Sequence, residues 1–325
     1  MTGFIVRRIL WIIHVLWAVA TITFFLMHAV PGGPFDRDKN LPPATLANLE
    51  KRYNLDKPLV VQYGLYLKNL AQGDLGLSYK NNREVTDIIS DGFEVTAQLG
   101  VLAFLYATIF GITLGVIAAL YQNRLPDYLC VFFVTVGAAM PNFIIATFLV
   151  IIFSVQLGWF DVLGWGGPAF DISDPSTWMR NFDPTAWNFK KIVLPVVALG
   201  TLSAAYIARV TRASVLEVLN QDYIRTARAK GLAEHVIVLR HTIKNAMVPI
   251  LTVLGPIFAF LVTGSFIVER VFAINGIGYR FVNAVFQRDY GMIMGTTLFF
   301  AVVVAIANLV VDILYAVVDP RIRYR

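Results

Sequence analysis

Residues 99–121 read LGVLAFLYATIFGITLGVIAALY, 23 residues without a charge. As an α-helix at ~1.5 Å per residue this run is about 35 Å long, enough to cross a hydrocarbon layer ~30 Å thick. A strand crossing a bilayer alternates apolar and polar residues over ~10 positions. This run does not alternate. In lipid every backbone N–H and C=O has to be satisfied within the segment, which leaves the helix. Gly111 and Gly115 form a GxxxG within it, a spacing that lets two helices approach closely and that speaks of packing rather than chemistry.

Five further runs follow the same pattern: Ile9–Val30, Tyr128–Leu157, Ile192–Ala208, Ala246–Val268 and Gly291–Val318. Ile192–Ala208 is short, but Arg209 and Arg212 extend it by snorkelling. Of the 325 residues 57% are hydrophobic and 15% charged, with a mean hydropathy of +0.66. Soluble domains carry roughly 25% charged residues. The expected fold class is therefore an all-α polytopic membrane protein with six transmembrane helices. Ile9–Val30 holds 22 uncharged residues, more than the ~7–15 of a signal sequence, and no A-x-A-like site ends it, so it is expected to stay as the first span.

Net charge is +6. Lysine and arginine gather on the cytoplasmic side of membrane proteins, which accounts for the excess without a nucleic-acid partner. With both termini inside, the short inner segments hold 13 basic residues (Arg7, Arg8, Arg124, the seven from Arg209 to Lys244, and Arg321, Arg323 and Arg325) against five acidic ones. The expected topology is N-in, C-in. It divides the chain into a first helix over 1–30, an extracytoplasmic loop or subdomain over 31–98, and a core over 99–325. The core's spans lie near 99–121, 128–157, 192–212, 246–268 and 291–318, with an inner loop at 217–245.

The first outer loop opens on the turn signal PGGP. Helical spacing of Leu46, Leu49 and Tyr53 predicts one helix. DKPLVVQYGLYLKNL predicts a second, with Asp56 as its N-cap. The outer loop 158–191 carries Trp159, Trp165, Trp178 and Trp187. Two roles fit them equally, anchors at the membrane interface or buried loop tryptophans.

Catalytic chemistry is missing. There is no G-x-x-x-x-G-K-[ST], H-E-x-x-H or G-x-S-x-G. The four histidines are scattered, and His14 and His28 read as satisfied polar residues. The one cysteine, Cys130, excludes an internal disulfide or a cysteine metal cluster and is expected to be a buried apolar residue. No catalytic or metal residue is expected. Asn142, after the GAAMP at 137–141, either lines a path or follows a kink. Asn308 and Asp312 share one face of the last span, as a translocation path or as structural polar groups. Arg209 or Arg212 would pair with Asp312.

Between the fourth and fifth runs lies DYIRTARAKGLAEHVIVLRHTIKNAMVP, residues 222–249. It reads as helix, glycine, helix, with Asn220 or Asp222 as N-cap and Gly231 as a left-handed C-cap. Anionic lipid would attract its basic residues. Attraction by charge alone does not require the glycine break or Thr226, Ala227 and Ala229 between the charges, so docking onto a partner also fits.

DYIRTARAKGL resembles the cytoplasmic EAA loop of ABC-importer permeases, in the form found in the dipeptide/oligopeptide family. Arg225, Thr226 and Ala227 stand where the general pattern has an acidic residue and two alanines, and Gly231 matches its glycine. Pro249 lies further on than the general pattern allows, as it does in the peptide branch. VRRIL, PGGPFD, GDLGLSY, ERVFAINGIGYRFVNAVFQRDY and NLVVDILYAVVDPRIRY extend the resemblance over the whole chain. One departure is Gly291 after RDY, where a proline is usual. It is expected to alter only that turn.

The resemblance implies a type I ABC importer permease fold in the cytoplasmic membrane of a bacterium or archaeon. It also implies a second homologous permease and two cytoplasmic ATPase subunits that bind ATP and Mg, so that this chain is non-catalytic. An extracytoplasmic binding protein would deliver a peptide, helped by the first loop. Similar permeases carry nickel, glutathione or oligosaccharides. Tyr223, Arg225, Thr226, Ala227, Arg228, Lys230, Gly231, Leu232 and Glu234 would form the ATPase-coupling loop, with Arg240 and Lys244 at the membrane boundary. The competing reading of another class is a stand-alone secondary transporter or channel.

Overall fold

The computed structural model describes residues 2–35, 42–168, 177 and 179–318. Trp178 lies outside them. Among the described residues the chain is helical, with a single antiparallel bridge between Leu77 and Glu84. Helix α1 (Thr2–Ala29) leads to two short helices, α2 (Pro43–Arg52) and α3 (Leu59–Ala71). Asp56 does not cap α3, because Pro58 occupies the N-cap position.

Helix α4 (Val85–Leu120) has 36 residues, about 54 Å at ~1.5 Å per residue. It starts 14 residues before the apolar run, so Asp87, Asp91 and Glu94 ride on a helical extension of the span rather than in a loop. At its far end α5 (Leu125–Ala139) follows, then α6 (Asn142–Leu149) continuing as a π-helical turn, Val150–Gln156. The 128–157 run is thus not one straight span. α5 and the α6 segment meet at 109°. Met140, directly before Pro141, is extended with φ −95° and ψ 127°, as proline demands of its predecessor. Asp127, at the start of α5, bonds Arg212. After α6, Trp165 Nε1 donates to Gln98 at 2.6 Å and Gly164 N donates to the Phe272 carbonyl. The bent pair therefore carries the chain between opposite ends of the bundle. Taken as one crossing, it joins five other helices that, among the described residues, are long and apolar enough to cross a membrane.

Helix α7 (Phe189–Leu219) packs along α4. A Cβ on Gly111 would stand 2.8 Å from the Ala204 carbonyl oxygen, and one on Gly115 2.6 Å from that of Ala208. The GxxxG is the seam between them. Lipid tails are as apolar as leucine, so such close backbone contact supplies the attraction. Leu99, Ala103, Ala107, Leu199, Ile207 and Leu261 form the core on either side of this seam.

After α8 (Asp222–Ala229) the chain returns through α9 (Lys244–Val262). The fifth run breaks at Gly264 (φ +82°) and resumes in α10 (Phe266–Val271), where the Ser265 hydroxyl accepts from Val268 N. Helix α11 (Ile277–Gln287) precedes α12 (Tyr290–Val318). Gly291, at the start of α12, lies against the Leu77 carbonyl oxygen, and any Cβ there would collide with it. The departure from proline thus reaches beyond its own turn and fits α12 to the segment between α3 and α4.

Candidate functional site

The loop between α7 and α9 is a compact hairpin. Helix α8 has Gln221 as N-cap with no side-chain cap. Neither Asn220 nor Asp222 takes that role, and Asn220 Nδ2 donates instead to the Leu216 carbonyl. The other end follows the sequence. Gly231 has φ +77°, its N–H donates to the Arg228 carbonyl at 2.9 Å, and Leu232 N–H donates to that of Ala227 at 3.3 Å. This is the paired bonding of a Schellman cap, which needs a residue at ease with positive φ.

Ile224, Ala227 and Ile237 form a small buried cluster with Val218. They fasten α8 to the foot of α7 and to the π-helical turn Ile237–Ile243. Ala227 is therefore an inner packing residue, and a partner would meet its neighbours. Across the turn, Arg228 donates to Glu234 at 2.7 and 3.3 Å, closing the hairpin on itself. Tyr223 Oη accepts from Asn245 Nδ2 at 3.0 Å, tying α8 to the first turn of α9. Thr226 Oγ1 donates back to the Asp222 carbonyl. Arg225 lies 3.6 Å from Asp222, with both side chains exposed. Lys230 and Leu232 stand exposed at the tip. The outer face is thus Tyr223, Arg225, Thr226, Lys230 and Leu232, a mixed surface on a turn whose shape is fixed from within.

The other polar candidates are not brought together with the hairpin. Asn142 follows the kink, and its Oδ1 is buried without a hydrogen-bond partner. Asn308 is exposed beside a groove of about 600 Å³ lined by Arg8, Trp11, Phe260 and Val304. The side chain of Asp312 lies outside the described residues. Arg212 does not await it, because its guanidinium makes two bonds to Asp127, at 2.9 and 2.8 Å. Asn123 N–H also donates to this carboxylate, which is only 3% exposed. The clasp lies seven residues before the end of α7, just above the hairpin.

Sequence reading missed other buried anchors. Glu269 is fully buried, accepting from Thr96 Oγ1 at 3.0 Å and Tyr279 N at 2.9 Å. Asp289 accepts from the Ser78 hydroxyl and from Tyr79 and Met292 N–H, joining the GLSY and RDY segments. Burial first, then the Asp289 carboxylate, pushes the Tyr79 phenol far above its ordinary value. Each was visible as a lone carboxylate beside or within an apolar run. His28 is satisfied locally, with Nδ1 on the Phe24 carbonyl and Nε2 on Gln62. Cys130 is buried. Of the loop tryptophans, Trp165 and Trp187 meet edge to face and pack against the core, while Trp159 is mostly exposed.

Residues 111–324 match the family model described as binding-protein-dependent transport system inner membrane component. Residues 1–100 match the N-terminal model of the same systems. The chain is 41% identical to the oligopeptide transport system permease protein OppB of Haemophilus influenzae, over all of both chains. It is 40% identical to the dipeptide transport system permease protein DppB of Bacillus subtilis, over 99% of this chain and 98% of that one. Among solved structures, the MetNI methionine ABC transporter in inward-facing conformations superposes with a TM-score of 0.56. It is 16% identical and covers 72% of this chain and 97% of that one, a likeness of fold.

Proposed function

Because the chain belongs to the family of binding-protein-dependent transport system inner membrane components, we propose that it is the membrane-spanning subunit of an ATP-driven importer of di- and oligopeptides. The full-length likeness to OppB and DppB supports the cargo. The basic residues around the hairpin support a cytoplasmic hairpin and N-in, C-in topology. On this reading the chain binds no nucleotide. Two ATPase subunits bind ATP and Mg, a second homologous permease completes the pathway, and a binding protein delivers peptide to the outer loops.

One observation carries the coupling role: a hairpin closed by Arg228–Glu234 and the Gly231 cap, and fastened by Ile224 and Ile237 to the foot of α7. A hairpin that is rigid within itself and packed on α7 passes a push to the spans instead of absorbing it. Closure of the ATPase pair favours one arrangement of the spans and reopening the other. The hairpin carries the difference in free energy between them.

The test is uptake of a labelled tripeptide by proteoliposomes holding the whole complex. Gly231→Pro and Lys230→Glu are expected to lower uptake at least tenfold and to reduce co-purification of the ATPase subunits. Wild-type uptake and co-purification in both variants would refute the coupling role. Mass spectrometry of ligands retained by the binding protein tests the cargo. Peptides are expected, and sugars or a metal chelate would overturn it.

A further inference from the structure

At the end of the bundle away from the hairpin, α11 and the turn before α4 enclose a second polar site, a cavity of about 360 Å³. Its walls carry Asn81, Arg83, Asn275, Arg280, Asn283 and Gln287. Arg280, Asn283 and Gln287 recur at helical spacing, so α11 turns one polar face to it. The opposite face is apolar, with Phe281 stacked on Phe266 and Phe286 under the Arg270 guanidinium. This size is at the low end of the ~300–1,000 Å³ typical of small-molecule sites.

Arg83 and Arg280 converge on one carboxylate, Asp91. Arg83 holds it with two bonds of 3.2 Å, while Arg280 reaches it only at 3.9 Å. Asp289 also lines the cavity, but its oxygens are taken by Ser78, Tyr79 and Met292. The Arg280 Nε is buried and has no hydrogen-bond partner. Burial works against the Arg280 charge and Asp91 offsets this only in part, yet a guanidinium does not give up its proton. The result is a planar donor in a small polar cavity, with its Nε–H left unpaired. Guanidinium groups recognise carboxylates through paired hydrogen bonds.

We propose that this cavity is a carboxylate subsite that receives the C-terminal carboxylate of a peptide at the outer mouth of the permease, with Arg280 as the residue that meets it. Asn275 and Gln287 offer amides to the adjoining peptide bond. The inference rests on the peptide-importer reading and adds a site within this chain to it.

The test compares a tripeptide with its C-terminal amide in proteoliposomes holding the whole complex, each loaded to saturation on the same binding protein. Arg280→Gln is expected to lower uptake of the free acid about tenfold and that of the amide less than twofold, as loss of a charge-assisted bond implies. Gln287→Glu, which places a carboxylate within the cavity, is expected to act in the same direction. Equal losses for both peptides, or none, in both variants would overturn the subsite alone. Parallel weakening of binding-protein docking with either cargo would assign the cavity to that partner and also overturn it. A wild-type complex that moves neither peptide would overturn the importer reading and the subsite together.

Discussion

Asp127 and Arg212 form a two-bond charged pair, and they are unequal. The carboxylate is 3% exposed and the guanidinium 31%. Removing Arg212 strands a buried charge, so Arg212→Ala is expected to cost about 3 kcal/mol. Asp127→Ala should cost less, because Arg212 keeps contact with solvent. Thermal unfolding of the purified single and double variants checks this. The double variant is expected to be more stable than the sum of the singles implies, and strict additivity would show that the pair is not coupled. The sequence offered both residues, at the ends of apolar runs, but no reading of one run names its partner 85 positions away. The same blindness hid Asp289 and Glu269. Their partners, Ser78 and Thr96, lie across the fold. Gly231 was legible because a helix cap is local, set by residues within one turn.

Helices were legible where composition is extreme, and their boundaries were not. Hydropathy marks the apolar part of α4 but not the 14 residues of mixed polarity, Val85 to Gln98, that extend it. It also reads 128–157 as one run, although Pro141 turns it through 109°. The GxxxG spacing indicated close packing without naming the partner, α7. Gly115→Leu is expected to drive a side chain into the Ala208 carbonyl and Thr211 and to cost about 3 kcal/mol or more, since backbone on both sides has to move. Gly64→Leu in α3 is the control, because nothing lies within 4 Å of its Cβ position. Yield of monodisperse protein and the unfolding midpoint should fall for the first and hold for the second. Equal behaviour would mean that the α4–α7 seam tolerates separation. The hairpin is the element that sequence described most completely. Structure adds that Ala227 faces inward and that Arg228 is engaged by Glu234, which leaves Tyr223, Arg225, Thr226, Lys230 and Leu232 for a partner.

At the scale of the molecule, the polar sites separate to opposite ends of an apolar bundle. The hairpin and the Asp127–Arg212 clasp occupy one end, and the Arg280 cavity with the Ser78–Asp289 junction the other. The long α4–α7 pair joins them. An importer subunit needs this separation, because energy enters at one face and cargo at the other. The chain supplies no nucleotide-binding motif, so the central claim is that energy enters through the hairpin tip. The most direct measurement uses the single native cysteine, Cys130, replaced by alanine, and Leu232→Cys at the exposed tip. A thiol-reactive cross-linker is then applied to the whole complex in proteoliposomes. Capture of an ATPase subunit, with peptide uptake falling in step with the yield of cross-link, is the expected result. Failure to capture any ATPase subunit while ATP-driven uptake stays at the wild-type rate would contradict it.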